Sequence, residues 1–137
     1  MNYLIDTNVI SEIRKGARGN PNVERWYSGA VSNSLYLSVL VLGEIRKGVE
    51  KVRSRDPAQA RALEQRLDQI NEEFSDRILP IDLPVVDEWG RMNAIRPLSV
   101  IDSLLAATAK VHAMTLVTRK VLDMANVGVR VLNPFAD

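Results

Sequence analysis

The chain contains no cysteine and a single histidine, His112. The first absence excludes a disulfide scaffold and thiolate zinc sites, and accords with a reducing compartment. The second argues against zinc catalysis, which draws on imidazole ligands. His112 falls near the end of an expected helix, where the ring can meet terminal carbonyls, and reads as structural. Aromatics are also scarce: two Trp, three Tyr and two Phe, most at expected core positions, offer no evident stacking platform for unpaired bases. No apolar run approaches the roughly 20 residues that cross a bilayer, and the opening segment is too short and too early charged for a signal peptide. A soluble cytoplasmic protein with no membrane contact is the expectation. Gly-x-Ser-x-Gly elbows, glycine-rich phosphate loops, internal repeats, linkers and low-complexity tracts are missing too, so one domain over residues 1–137 is expected.

Net charge is nearly absent, +1 from 18 basic and 17 acidic residues, so distribution matters more than the total. Lys47, Lys51 and Arg55 recur every four residues with Arg46 and Arg53 close by. On a helix they form a basic stripe that suits either phosphates or plain solvation.

Short apolar segments alternate with longer amphipathic ones. Strands are expected over 2–5, 35–37, 78–81, 116–118 and 129–132. Between them, helices are expected after Asp6, from Pro21, from Ser38 to about Arg53, from Asp56-Pro57 through Phe74, from Pro84 to the Arg96-Pro97 break, and from Ser99 to His112. Such alternation calls for an α/β fold, a parallel sheet covered by helices on both faces, with ligands at the carboxyl ends of its strands.

Four acids stand out against this frame. Asp6 directly follows the first strand, where it is either an N-cap or a crevice side chain. Glu44 has Leu40 and Val41 behind it on one helix face, so it points inward and needs a partner. Asp102 shares its face with Leu98, Leu105, Ala106 and Ala109; it also lies in a first helical turn, where a carboxylate is favoured. Asp123, in the Thr118-Arg119-Lys120-Val121-Leu122-Asp123 segment, reads by spacing alone as a turn or surface residue. Carboxylates converging without thiols or imidazoles suit Mg²⁺ or Mn²⁺, and the matching chemistry is phosphodiester hydrolysis.

Asp6-Thr7-Asn8, the Ser38 to Gly48 segment with Glu44-Ile45-Arg46-Lys47, the Asp102 to Ala109 run, and Leu116-Val117-Thr118-Arg119 before Asn133-Pro134 together resemble the PIN-domain ribonucleases, and more narrowly the VapC-type toxins of bacterial toxin–antitoxin pairs. The resemblance spans essentially the whole chain. It implies a PIN-like α/β/α sandwich, Mg²⁺- or Mn²⁺-dependent endoribonuclease activity on RNA, homodimerisation and inhibition by a VapB-like antitoxin. By position it makes Asp6, Glu44 and Asp102 the principal metal-holding acids, Asn8 and Thr118 their supports, and Arg46, Lys47 and Arg119 candidates for binding RNA.

One position departs from the family pattern. Lys120 stands where many relatives carry Asp or Asn, often the fourth acid; the resemblance then leaves Asp123 to serve instead. A lysine among carboxylates replaces one metal charge and favours a single ion over two. The alternative reading is a PIN-fold binding module whose catalysis Lys120 has weakened and which acts through an antitoxin complex. A phosphatase with Asp6 as nucleophile ranks lower, because it needs a second acid where Asn8 stands.

Overall fold

The computed structural model describes residues 1–95, 97–124 and 126–136. At its centre β1 (Tyr3–Ile5) is an almost fully buried strand, and Asp6 ends it by capping α1 (Thr7–Ile13). Gly16, at φ +60, opens a 3₁₀ turn, and Asn20 then caps α2 (Pro21–Gly29) through bonds to the Asn22 and Val23 amides. β2 (Leu35–Ser38) runs straight into α3 (Val39–Arg53), whose start is capped by the Ser38 hydroxyl accepting from the Leu40 N–H at 3.1 Å. Asp56 caps α4 (Pro57–Glu73), with Pro57 at the first helical position, where a missing N–H costs nothing.

β3 (Ile78–Leu79) is shorter than the expected strand; Pro80 follows it and has no N–H for a sheet ladder. α5 (Leu83–Ile95) and α6 (Val100–Val111) follow, then β4 (Thr115–Val117) and β5 (Arg130–Leu132). Of the expected Arg96-Pro97 break, Arg96 lies outside the described residues; α5 ends at Ile95.

These strands form one sheet in the order β3-β2-β1-β4-β5, every pair parallel. Successive residues of β4 are all buried, which requires cover on both faces of the sheet. α3 packs on α4 and α5 on α6. Leu105, Ala106, Ala107 and Ala109 give α6 a fully buried face of mostly small side chains, allowing close approach to the sheet.

The order matters for function. From the central β1 the chain builds first toward β2 and β3, then returns to place β4 and β5 on the other side. The carboxyl ends of β1 and β4 therefore flank a switch point, where an open parallel sheet leaves a crevice.

The basic stripe takes a different form from the expected one. α3 ends at Arg53, so Arg55 lies beyond it. Arg46 and Arg53 form ion pairs with Glu50 on their own helix and with Glu64 on α4. Their charge is committed to the α3–α4 seam, leaving Lys47 and Lys51 as the exposed cations of that helix.

Candidate functional site

Asp6 is both a cap and a crevice residue. Its Oδ1 accepts from the Thr7 N–H at 2.7 Å, while its Oδ2 accepts from the Thr118 hydroxyl at 2.8 Å. The backbone of Asp6 donates to the Val117 carbonyl at 2.9 Å, fixing the end of β1 against the end of β4. The residue is only 3 % exposed. Burial pushes its carboxyl above the ordinary value; hydrogen bonds from Thr118 and Thr7 and the charge of Lys120 offset part of that rise, and the neighbouring Asp102 adds to it.

Asn8 ties the two strand ends together. Its Nδ2 lies 3.4 Å from both Asp6 Oδ2 and Thr118 Oγ1, and its Oδ1 accepts from the Arg119 N–H at 3.3 Å. Thr118 is fully buried.

Glu44 reaches the same region from α3. Its Oε1 accepts from the Thr7 hydroxyl at 2.6 Å, so the residue after Asp6 holds the second acid. Glu44 is half-buried. It borders a cleft lined also by Ser11, Arg14, Leu63 and Leu67, and a second one lined by Leu40, Lys47 and Ile101.

Asp102 enters from the first turn of α6. The Ser99 hydroxyl does not cap the helix; it donates to Asp102 Oδ2 at 2.8 Å. Lys120 Nζ donates to Oδ1 at 3.1 Å and to Oδ2 at 3.4 Å. Burial pushes the Lys120 ammonium down, but the hydrogen bond to Asp102 and the charges of Asp102, Asp6 and Glu44 override this and raise it above the ordinary lysine value. Lys120 therefore lies within the field of all three acids.

Asp123 is exposed and does not join Asp6 or Glu44. It lines a recess of about 280 Å³ together with Ser99, Asp102 and Met124. Arg119 is exposed, its guanidinium stacked 3.8 Å above the Phe135 ring. Lys47 is exposed beside Glu44, whereas Arg46 is held by Glu50 and Glu64.

Three partners escaped the sequence reading: Thr7, Ser99 and Phe135. Thr7 sits inside the Asp-Thr-Asn motif, where its hydroxyl reads only as a cap. Ser99 likewise reads as a cap, an acceptor for a first-turn N–H. Nothing in the spacing links Phe135 to Arg119.

The donors suit a hard cation in kind, since all are carboxylate oxygens and three of the carboxylates are oriented by a neighbouring hydroxyl. They are not yet gathered around one point: among the described residues no three acid or histidine side chains are close enough to share an ion. The ammonium of Lys120 holds the place beside Asp102.

Comparison with known proteins gives a consistent picture. A family model described as the PIN domain matches residues 3–120. Toxin FitB of Neisseria gonorrhoeae is 33 % identical over 140 residues, spanning 98 % of this chain and 99 % of the relative. Plasmid stability protein StbB of Pseudomonas syringae pv. tomato is 28 % identical, spanning 96 % and 97 % respectively. The crystal structure of FitAcB from N. gonorrhoeae contains a chain that superposes with a TM-score of 0.86 at 32 % identity, covering 97 % of this chain and 98 % of that one.

Proposed function

The chain belongs to the PIN-domain family, and from that premise we propose that it is a divalent-metal-dependent endoribonuclease, the toxin of a toxin–antitoxin pair. The observation that carries the proposal is the placement of Asp6, Glu44 and Asp102, from three separate elements, around the carboxyl ends of β1 and β4, each held by its own hydroxyl donor. Asp6, Glu44 and Asp102 are the residues that would hold Mg²⁺ or Mn²⁺. When bound, the ion supplies an activated water and offsets charge on the phosphate.

The remaining work belongs to the chain's own groups. Thr118 and Asn8 fix the Asp6 carboxylate, Thr7 fixes Glu44, and Ser99 fixes Asp102, so that each carboxylate has a set orientation from which to close on an ion. Arg119 and Lys47 are exposed cations beside the crevice, suited to the phosphates of an RNA strand. Arg46 is a poor candidate because its guanidinium is already paired. The relative's name, Toxin FitB, supports the toxin role. A VapB-like antitoxin and a cytoplasmic homodimer complete the reading; among the described residues no helix is long and apolar enough to cross a membrane. Co-purification with the product of a neighbouring small gene, and light scattering of the isolated chain, test the partner and the dimer.

Incubating the purified chain with RNA and Mg²⁺ or Mn²⁺ tests the activity. Cleavage that stops with EDTA and returns with metal supports it; cleavage indifferent to EDTA contradicts it. The Lys120–Asp102 ion pair favours a second reading, a catalytically weakened module acting through its antitoxin complex. Efficient cleavage by the unaltered chain excludes that reading, whereas activity appearing only in Lys120→Asp supports it.

A further inference from the structure

Lys120 is tied to the acidic crevice at both ends. Its backbone N–H donates to Thr118 Oγ1 at 3.1 Å, the same hydroxyl that donates to Asp6. Its ammonium reaches both oxygens of Asp102 at 3.1 and 3.4 Å. The residue thus spans from the support of the first acid to the third acid. Among the described residues, no other cation forms an ion pair with Asp6, Glu44 or Asp102.

Charge explains why such a residue belongs there. Carboxylates set around a partly dry crevice repel one another when charged, and either a metal ion or a protein cation relieves that repulsion. The lysine side chain remains 45 % exposed, against 16 % for that of Asp102, so the ammonium can leave for solvent while the backbone stays pinned. An ammonium bonded to both oxygens of Asp102 also engages the lone pairs that a divalent ion on that carboxylate would need.

We propose that Lys120 is a resident cation of the crevice: it neutralises the acids in the metal-free protein, leaves Asp102 when a divalent ion binds, and limits the site to one such ion. The inference rests on the metal-dependent reading above and adds to it a built-in competitor for the metal. Lys120 acts as a positioning residue, through Asp102. Its backbone anchor to Thr118 keeps the released ammonium at the crevice mouth, where an incoming phosphodiester needs a counter-charge.

Mn²⁺ binding to the purified chain, followed by the electron paramagnetic resonance of free Mn²⁺ and by calorimetry, tests this independently of RNA cleavage. The wild type is expected to bind one Mn²⁺. Lys120→Gln and Lys120→Met are expected to bind it about tenfold tighter, because the competing charge is gone. Lys120→Asp is expected to take up a second ion, and Lys120→Arg to behave as the wild type does. In EDTA the Gln and Met variants should melt below the wild type, with Mn²⁺ removing the difference. Unchanged or weaker Mn²⁺ binding in both neutral variants, or two ions in the wild type, overturns the proposal. If binding shifts as expected but no variant cleaves RNA, the nuclease reading fails and the role of Lys120 stands. If neither the wild type nor any variant binds Mn²⁺ at millimolar concentration, both fail.

Discussion

The hydroxyl of Thr7 donates to Glu44 Oε1 at 2.6 Å, linking the first residue of α1 to the middle of α3 across 37 positions of sequence. Through this bond the same tripeptide that carries the first acid also aims the second. Thr7→Val keeps the side-chain shape and removes the donor, leaving a half-buried carboxylate oxygen without its partner. The expected cost is about 1 kcal/mol in urea unfolding, with RNA cleavage slowed roughly ten- to a hundredfold as Glu44 loses its alignment. Thr7→Ser should recover most of both. Normal cleavage by the Val variant would show that Glu44 is not positioned through Thr7.

Asp6 predicts an exchange of stability for activity. Its native carboxyl lies above its ordinary value of 3.8 because burial penalises the charged form. The folded state therefore holds that proton more tightly than the unfolded chain. The sign follows: its contribution to stability is largest at low pH and is lost as pH rises from the ordinary value through the raised native one. Asp6→Asn removes that penalty, so at neutral pH its melting temperature should rise by about 4 °C. Its stability, measured relative to the wild type across the acid range, should lose the Asp6 component, and RNA cleavage should vanish. A variant less stable at neutral pH than the wild type would count against burial as the main influence on this group.

Thr118 serves three partners at once, donating to Asp6 and accepting from the Lys120 N–H and from Asn8. It is fully buried, so Thr118→Val strands all three. A loss of about 2 kcal/mol in unfolding free energy is expected, with weaker Mn²⁺ binding, while Thr118→Ser restores the metal affinity. Denaturant titration and calorimetry on the two variants separate the packing of the methyl group from the work of the hydroxyl.

The cations near the crevice should not contribute equally to RNA binding. Arg119 carries no ion pair among the described residues and stacks on Phe135, whereas Arg46 is paired with Glu50 and Glu64. Arg119→Ala should weaken binding of a short single-stranded RNA at least about fivefold and lower the salt dependence by about one unit of slope. Arg46→Ala should change it by less than about twofold. The reverse order, read by fluorescence anisotropy in EDTA, would place the RNA along α3 instead.

Much of this arrangement is legible in the sequence, for a physical reason. Asp6, Glu44 and Asp102 betray themselves because each sits where the local period demands an apolar or neutral side chain, and periodicity is a local property. The strand positions follow likewise from short apolar runs, and Ser38 and Asp56 cap the helices expected of them. What one chain cannot display is the choice of partner across space. Thr7 and Ser99 read as caps because the capping preference is local, while their actual acceptors depend on how helices pack. Arg46 looks available to phosphate until α4 brings Glu64 against it. The shortened β3 reflects Pro80, whose effect on pairing is visible in sequence but easily outweighed by the apolar Ile81 beyond it.

The central claim, that Asp6, Glu44 and Asp102 hold the ion that cleaves RNA, is tested most directly by single-turnover RNA cleavage as a function of Mn²⁺ in the wild type and in Asp6→Asn and Asp102→Asn. The account predicts a rate that rises and saturates with Mn²⁺ in the wild type and is lost in both variants at every concentration. Cleavage that persists undiminished in either variant, or that needs no divalent ion, would contradict it.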